Sequence, residues 1–264
     1  MTSTPIMTVM IAAVRKAARG VQRDFGEISN LQVSVKGPGN FVTNADKRVE
    51  KILREELAKA RPSYGVLGEE DGEVKGQDPD HRFIIDPIDG TTNFMHALPL
   101  IALNVALERK GEIVAAVTYN PVMDELYHAE KGTGAFLNNK RLRVSGRRDL
   151  GDAIIATALP HRGAAAAPHE AAELQAMQKA TSGIRTLGST AVEMAWVAAG
   201  RLDGVWSHGL NPWDVAAGIL LIREAGGFVA PLGEGSNPLT STGFVGTNAD
   251  LLPQMQKLLA AAKA

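Results

Sequence analysis

Phe83-Ile84-Ile85 is an unbroken apolar run that leads straight into Asp86-Pro87-Ile88-Asp89-Gly90-Thr91-Thr92. A run of this kind belongs inside a sheet. Pro87 lacks a ladder N–H, which predicts that the strand stops at Asp86. Asp86 and Asp89 stand three positions apart, so a tight turn brings both carboxylates to one point. Two such charges about 4 Å apart repel by about 4 kcal/mol at an effective dielectric of about 20. Either a cation offsets that repulsion or one carboxylate stays protonated. Gly90, Thr91 and Thr92 add backbone N–H groups and hydroxyls suited to a phosphate where a helix or nest opens. Paired acids ahead of an anion cradle read as a place where divalent metal bridges protein to phosphate. An ordinary Asp-Pro-Gly surface turn requires neither the apolar run before it nor Thr92-Asn93-Phe94 after it.

Around this stretch the hydrophobic pattern changes twice. Residues 5–25 carry Val9, Ala13, Ala17 and Val21 on one helical face. Leu31 to Val35 reads as a short strand closed by the turn Gly37-Pro38-Gly39. Thr43 or Asn44 then caps a helix to about Ala60 with Val49, Ile52, Leu53 and Leu57 as its buried stripe. Asp46 falls in its first turn, where an acid favours the helix dipole. Residues 73–81 are polar and read as a surface loop. From Leu98 to Val144 the period becomes two, with segments 113–119, 125–129, 135–137 and 141–144 reading as an antiparallel meander. From Ala153 onward strands (154–158, 184–187, 204–206, 228–230, 244–246) alternate with helices (168–181, 190–199, 212–225, 249–262) around an alanine-rich loop at 164–167. Pro212 stands near the first position of its helix, where a missing N–H costs nothing. The result is a two-part chain: an antiparallel sheet with helices up to about residue 150, then an α/β layer.

Composition sets the outer bounds. A chain of 264 residues builds one large domain or two smaller ones. Lys+Arg of 28 against Asp+Glu of 29 leaves a net charge of −1, so no bulk field favours nucleic acid or a membrane surface. The absence of cysteine excludes disulfides, thiolate metal sites and a Cys nucleophile, and fits a reducing cytoplasm. Ile6 to Val14 is apolar but has no basic residue before it and is too short to span a bilayer, so it reads as the start of an amphipathic helix. The histidines at 81, 96, 128, 161, 169 and 208 show no metal-ligand spacing and read as surface or packing residues. Gly132-x-Gly134 lacks the rest of a dinucleotide fingerprint and marks a bulge or turn.

Asp86-Pro87-Ile88-Asp89-Gly90-Thr91-Thr92-Asn93-Phe94 resembles the signature of the inositol monophosphatase family of lithium-sensitive, magnesium-dependent phosphatases. Gly68-Glu69-Glu70 and Trp213-Asp214-Val215-Ala216-Ala217-Gly218 resemble its other two motifs, in family order. The resemblance implies one domain over residues 1–264, a layered α-β-α-β-α sandwich of the sugar-phosphatase type, an α+β and α/β arrangement found often as a homodimer. It also implies a metal set. Glu69 and Asp86 with the Ile88 carbonyl hold one Mg2+, Asp86, Asp89 and Asp214 a second, and a third, weaker ion shares Glu69. Taken alone, Glu69 belongs to an acidic loop and Asp214 is a helix-start acid.

The reaction implied is hydrolysis of a phosphate monoester by metal-activated water, without a covalent enzyme intermediate. Glu69 and Thr91 orient that water with Asp46 behind them, and Gly90 and Thr91 hold phosphate oxygens. Lys36 is similar to a family lysine near the metals. Gly188-Ser189-Thr190 resembles the segment that touches inositol hydroxyls, while Ser189 also reads as a helix N-cap. Seven residues before Asp214, where inositol-preferring members carry glutamate, this chain has Ser207. That departure weighs against inositol specificity and leaves the metal set intact, while the family motifs as a whole imply inositol monophosphate as the first substrate expectation. Fructose-1,6-bisphosphatase and histidinol-phosphatase activities are the same-class alternatives, and Thr92-Asn93-Phe94 argues against a 3′-nucleotidase. A different alternative is a binding role with RNA polymerase and antitermination factors, since bacterial family members act there. No basic stripe points to direct nucleic-acid contact.

Overall fold

Helical stripes and strand alternation build the molecule, seen in a computed structural model that describes residues 4–31, 38–159, 169–233 and 237–262. In α1 (Pro5–Leu31) Met7, Met10, Val14, Ala17 and Val21 recur at three- and four-residue steps and are buried. In α2 (Pro38–Ala60) Ala45, Val49, Leu53 and Leu57 do the same. The two helices pack on one face of the first sheet.

That sheet contains β1 (Tyr64–Gly68), β2 (Gly72–Val74) and β3 (Asp78–Asp89), after which α3 (Thr91–Met95) turns the chain. It continues with β4 (Ala102–Arg109), β5 (Glu112–Asn120), β6 (Glu125–Glu130), β7 (Gly134–Leu137) and β8 (Lys140–Arg141). The order is β2-β1-β3-β4-β5-β6-β7-β8. Only β1 and β3 run parallel; the remaining neighbours are antiparallel. The second part gives β9 (Ile154–Thr157), α4 (Glu170–Ala180), β10 (Gly183–Arg185), α5 (Thr190–Ala198) and β11 (Gly204–His208). It closes with α6 (Pro212–Glu224), β12 (Phe228–Leu232), β13 (Gly243–Thr247) and α7 (Leu252–Ala262), in the sheet order β10-β9-β11-β13-β12.

Side-chain alternation stacks these elements. Phe83, Ile85, Val105 and Val117 face α1 and α2, whereas Ile84, Ala106 and Ala116 face α5 and α6. Val205 and Phe244 of the second sheet meet the same α5–α6 layer from the other side. Trp206, Val245 and Ile155 point away, onto Met177 of α4 and Met255 and Leu259 of α7. The layers therefore run α-β-α-β-α, as the family resemblance implies. Lying between two sheets, α6 buries every residue from Val215 to Ile222 and has no polar face. It packs so tightly on α5 that a Cβ at Gly218 would meet Met194 Sδ at 2.5 Å.

The structure corrects the sequence reading in five places. β3 does not stop at Asp86 but runs to Asp89, because Pro87 and Ile88 form a bulge. Asp86 pairs with Asn104 and Asp89 with Ala102, so two residues oppose Leu103 alone and no Pro87 N–H is needed. Residues 73–81 are not a loop: β2 and the start of β3 pair against β1 there. α2 begins at Pro38, with proline at its first position, so Thr43 and Asn44 lie inside the helix and Asp46 beyond its first turn. Leu31 ends α1 rather than opening a strand, and of the 141–144 segment only Arg141 pairs as a strand, together with Lys140 before it. Residues 32–37, Lys36 among them, the 164–167 loop and Pro168 lie outside the described residues.

Candidate active site

The bulge aims β3 at the site. Asp86 continues the Ile84 face toward α6 and is buried, with only 1% of its surface exposed. Gly90 then takes a left-handed conformation (φ 91°) that opens α3. A Cβ at Gly90 would also lie 2.9 Å from the Leu100 carbonyl, so glycine is required twice over. Asp214 reaches the same place from the start of α6, where one oxygen, Oδ2, accepts the Asn211 N–H at 2.7 Å. Ligand oxygens of Asp86, Asp89 and Asp214 lie within 4.8 Å of one another. Residues separated by more than a hundred positions thus form one cluster.

Asp89 is held by α5. Its Oδ2 accepts from Ser189 Oγ at 2.7 Å and from the Ala191 N–H at 2.6 Å, and the Gly90 N–H supports the same carboxylate. Ser189 is also the N-cap of α5, with its Oγ accepting from the Val192 N–H. Gly188, at φ 74°, packs on the Asn93 amide, and Thr190 is buried beside Ser189. Thr91 Oγ donates to the Ile88 carbonyl at 3.2 Å. Ser207 faces the α5–α6 layer on β11, with a buried hydroxyl that lacks a hydrogen-bond partner.

Electrostatics marks the cluster as strongly frustrated without cations. Burial raises Asp86 well above the carboxylate range, and repulsion from Asp89, Glu69, Asp214 and Asp46 adds to it. Burial lifts Asp89 to about 6 against its Ser189, Ala191 and Gly90 donors. Asp214 rises to about 7 through burial and then Asp89. Asp46, on the buried stripe of α2, rises to about 8 through burial and then Glu70 and Glu69. Glu69 is exposed as a residue, yet its carboxyl turns in toward Asp86 and is raised by partial burial, then by Glu70 and Asp89. Asp86 Oδ1 and Asp46 Oδ1 are buried without hydrogen-bond partners. Carboxylates crowded in this way fit metal ions, and an all-oxygen donor set suits a hard divalent ion.

Three positioning residues escaped sequence reasoning. Glu50, fully buried on α2, accepts the Glu70 N–H at 2.9 Å and the Asp71 N–H at 3.0 Å while Arg54 Nε pairs with it at 2.8 Å. It fixes the loop that carries Glu69, and the four-residue ladder Asp46, Glu50, Arg54 was its only sequence signal. Asn93 donates to the Leu100 and Leu187 carbonyls, each at 2.7 Å, and ties α3 to the Gly188 turn. Glu193 accepts the Leu187 N–H at 2.7 Å and is raised to about 8, chiefly by burial.

A bulged strand, the inner helix and the α5 cap thus bring buried acids to one glycine turn. The model of the inositol monophosphatase family matches residues 3–263, so the chain belongs to that family and is a phosphoric monoester hydrolase. An inositol-1-monophosphatase of Mesorhizobium japonicum is 52% identical over 248 residues, covering 94% of this chain and 93% of that one. The Nus factor SuhB of Escherichia coli K12 is 38% identical over 251 residues, 95% of this chain and 94% of its own. Among solved structures, the extragenic suppressor protein suhB of Bartonella henselae superposes with a TM-score of 0.87 at 46% identity, covering 97% of this chain and 98% of that one.

Proposed function

We propose that this phosphatase acts on the phosphate monoester of a small polyol, inositol monophosphate foremost, with two to three Mg2+ ions as cofactor. One observation carries the reading: the Asp86, Asp89 and Asp214 oxygens gather within 4.8 Å beside the Gly90–Thr91 turn. Glu69 and Asp86 with the Ile88 carbonyl would hold one ion, Asp86, Asp89 and Asp214 a second, and Glu69 would share a third. When bound, the ions offset the charge of carboxylates and phosphate, acidify a water and stabilise the departing oxygen.

The chain supplies the rest. Thr91 Oγ gives its proton to the Ile88 carbonyl, so its lone pairs are left to orient a water. Glu69, raised above the usual range, is suited to take that water's proton, with Asp46 behind it. Phosphate oxygens fall to the Thr91 N–H at the start of α3, because the Gly90 N–H supports Asp89. Ser207, with Gly188, Ser189 and Thr190 on the facing element, offers neutral groups to substrate hydroxyls, and a neutral hydrogen bond contributes about 1 kcal/mol. That favours a polyol over a second charged group. Because α5 and α6 pack on both sheets, their shared layer supports reading the chain as one domain. Family likeness extends the proposal to a lithium-sensitive, cytoplasmic homodimer. No helix among the described residues is long and apolar enough to cross a membrane.

The deciding experiment compares kcat/KM across inositol monophosphate, fructose 1,6-bisphosphate, histidinol phosphate and adenosine bisphosphate, with Asp89→Asn and Asp214→Asn as controls. Inositol monophosphate should lead, and both variants should lose more than about 100-fold, since each removes a charged group from the cations. Full phosphate release by either variant at saturating Mg2+ would refute the site. A second reading, association with a transcription complex, is favoured by the 38% identity to the Nus factor SuhB. A pull-down that brings no RNA polymerase or antitermination factor removes it.

A further inference from the structure

His169, Glu173 and His208, silent in the sequence, meet on the opposite side of the second sheet from the carboxylate cluster. Along β11, Val205 and Ser207 face α5 and α6, whereas Trp206 and His208 face α4 and α7. His169 precedes α4 and Glu173 lies one turn later on the same helical face. His208 Nε2 sits 2.8 Å from Glu173 Oε2, and His169 Nε2 sits 3.7 Å from Glu173 Oε1. Each imidazole therefore offers its Nε2 to a different oxygen of one carboxylate, and one ligand atom from each residue lies within 4.8 Å of the others. The rings stand 5.0 Å apart at 84°. Two imidazoles bound through nitrogen at about 2.0–2.1 Å to one tetrahedral ion have ring centres about 5 Å apart, so little movement is needed.

We propose that these three residues form a second divalent-metal site, of the two-histidine, one-carboxylate kind that takes zinc or a similar borderline ion. Its nitrogen donors separate it chemically from the all-oxygen cluster, which suits magnesium. Glu173 is fully buried and its two oxygens are aimed at different imidazoles, so the three donors are held in place around one point. His208 also lines a cavity of about 200 Å³ with Thr157, Leu159, Leu174 and Trp206, which gives an ion a way in and a water the open position. The function is a clamp. β11 passes from His208 through Gly209-Leu210-Asn211 into α6, which carries Asp214, so an ion at His208 ties that connection to α4.

The test is equilibrium dialysis of the whole protein against micromolar Zn2+ with millimolar Mg2+ present, metal content read by mass spectrometry. Wild type should retain one zinc per chain. His208→Ala and the half-exposed His169→Ala should retain none, while keeping the wild-type circular dichroism spectrum and Mg2+-dependent phosphatase activity. Asp89→Asn should retain its zinc, which keeps the outcome separate from any failure of the magnesium site. Zinc should raise the Tm of wild type by about 5 °C and leave that of His169→Ala unchanged. Co2+ in place of zinc should give the intense visible bands of a four-coordinate site with nitrogen ligands. Zinc that stays in both histidine variants, zinc lost only with Asp89→Asn, or no zinc in wild type would each overturn the site and leave a hydrogen-bonded strut.

Discussion

Asp89→Asn should cost nearly all activity and yet stabilise the protein when divalent metal is stripped away. Asp89 sits at about 6 in the folded chain against an ordinary 3.8, with burial as the main cause. Because its folded value is raised, the native state holds the proton longer than the unfolded chain does. The penalty is zero below pH 3.8, grows as pH rises toward 6, and is complete above it. A shift of about two units corresponds to roughly 3 kcal/mol at pH 8. The substitution removes that penalty while sparing the local bonds, since an Asn carbonyl can still accept from Ser189 Oγ and the Ala191 N–H. For a chain of this length roughly 3 kcal/mol is about 5–10 °C in Tm. Calorimetry in EDTA should show Asp89→Asn melting above wild type at pH 8 by that amount, with the gap closing as the pH falls toward 4. Added Mg2+ should raise wild type and leave the variant behind. A variant that melts below wild type in EDTA at pH 8 would show that Asp89 is stabilised by its hydrogen bonds more than it is destabilised by its burial.

Three further outcomes follow from the geometry. Glu50→Gln should release the Glu69 loop by weakening the acceptor for the Glu70 and Asp71 N–H groups, raising the Mg2+ concentration for half-maximal activity about tenfold, and should lower Tm because Arg54 loses its buried charge partner. Gly90→Ala, which needs φ 91° and would push against the Leu100 carbonyl, should lower stability by about 1–3 kcal/mol by urea unfolding and reduce kcat more than KM. Ser207→Ala should raise KM about fivefold for a polyol phosphate and leave kcat unchanged, as loss of one neutral hydrogen bond to substrate predicts; an unchanged KM would place the substrate hydroxyls elsewhere.

The acids at Asp86 and Asp89, the glycine turn at Gly90 and Thr91, the inner helix that starts at Pro212 and the period-two sheet were all legible in the sequence. Each is written in consecutive residues, where glycine, proline and the spacing of apolar side chains act over a few bonds. The motifs at Glu69 and Asp214 could be matched one by one in the same way. The tertiary structure alone decided what those segments touch. Pro87 became a bulge because β4 offered a partner for Asp89, and Ser189, the helix cap the sequence implied, also supports an acid a hundred residues away. Glu50 became a brace for a loop, and His169, Glu173 and His208 came together from two elements that no local pattern joins. Local conformation is set by neighbours along the chain, whereas pairing across more than thirty residues is set by how buried layers stack, and only the folded core fixes that.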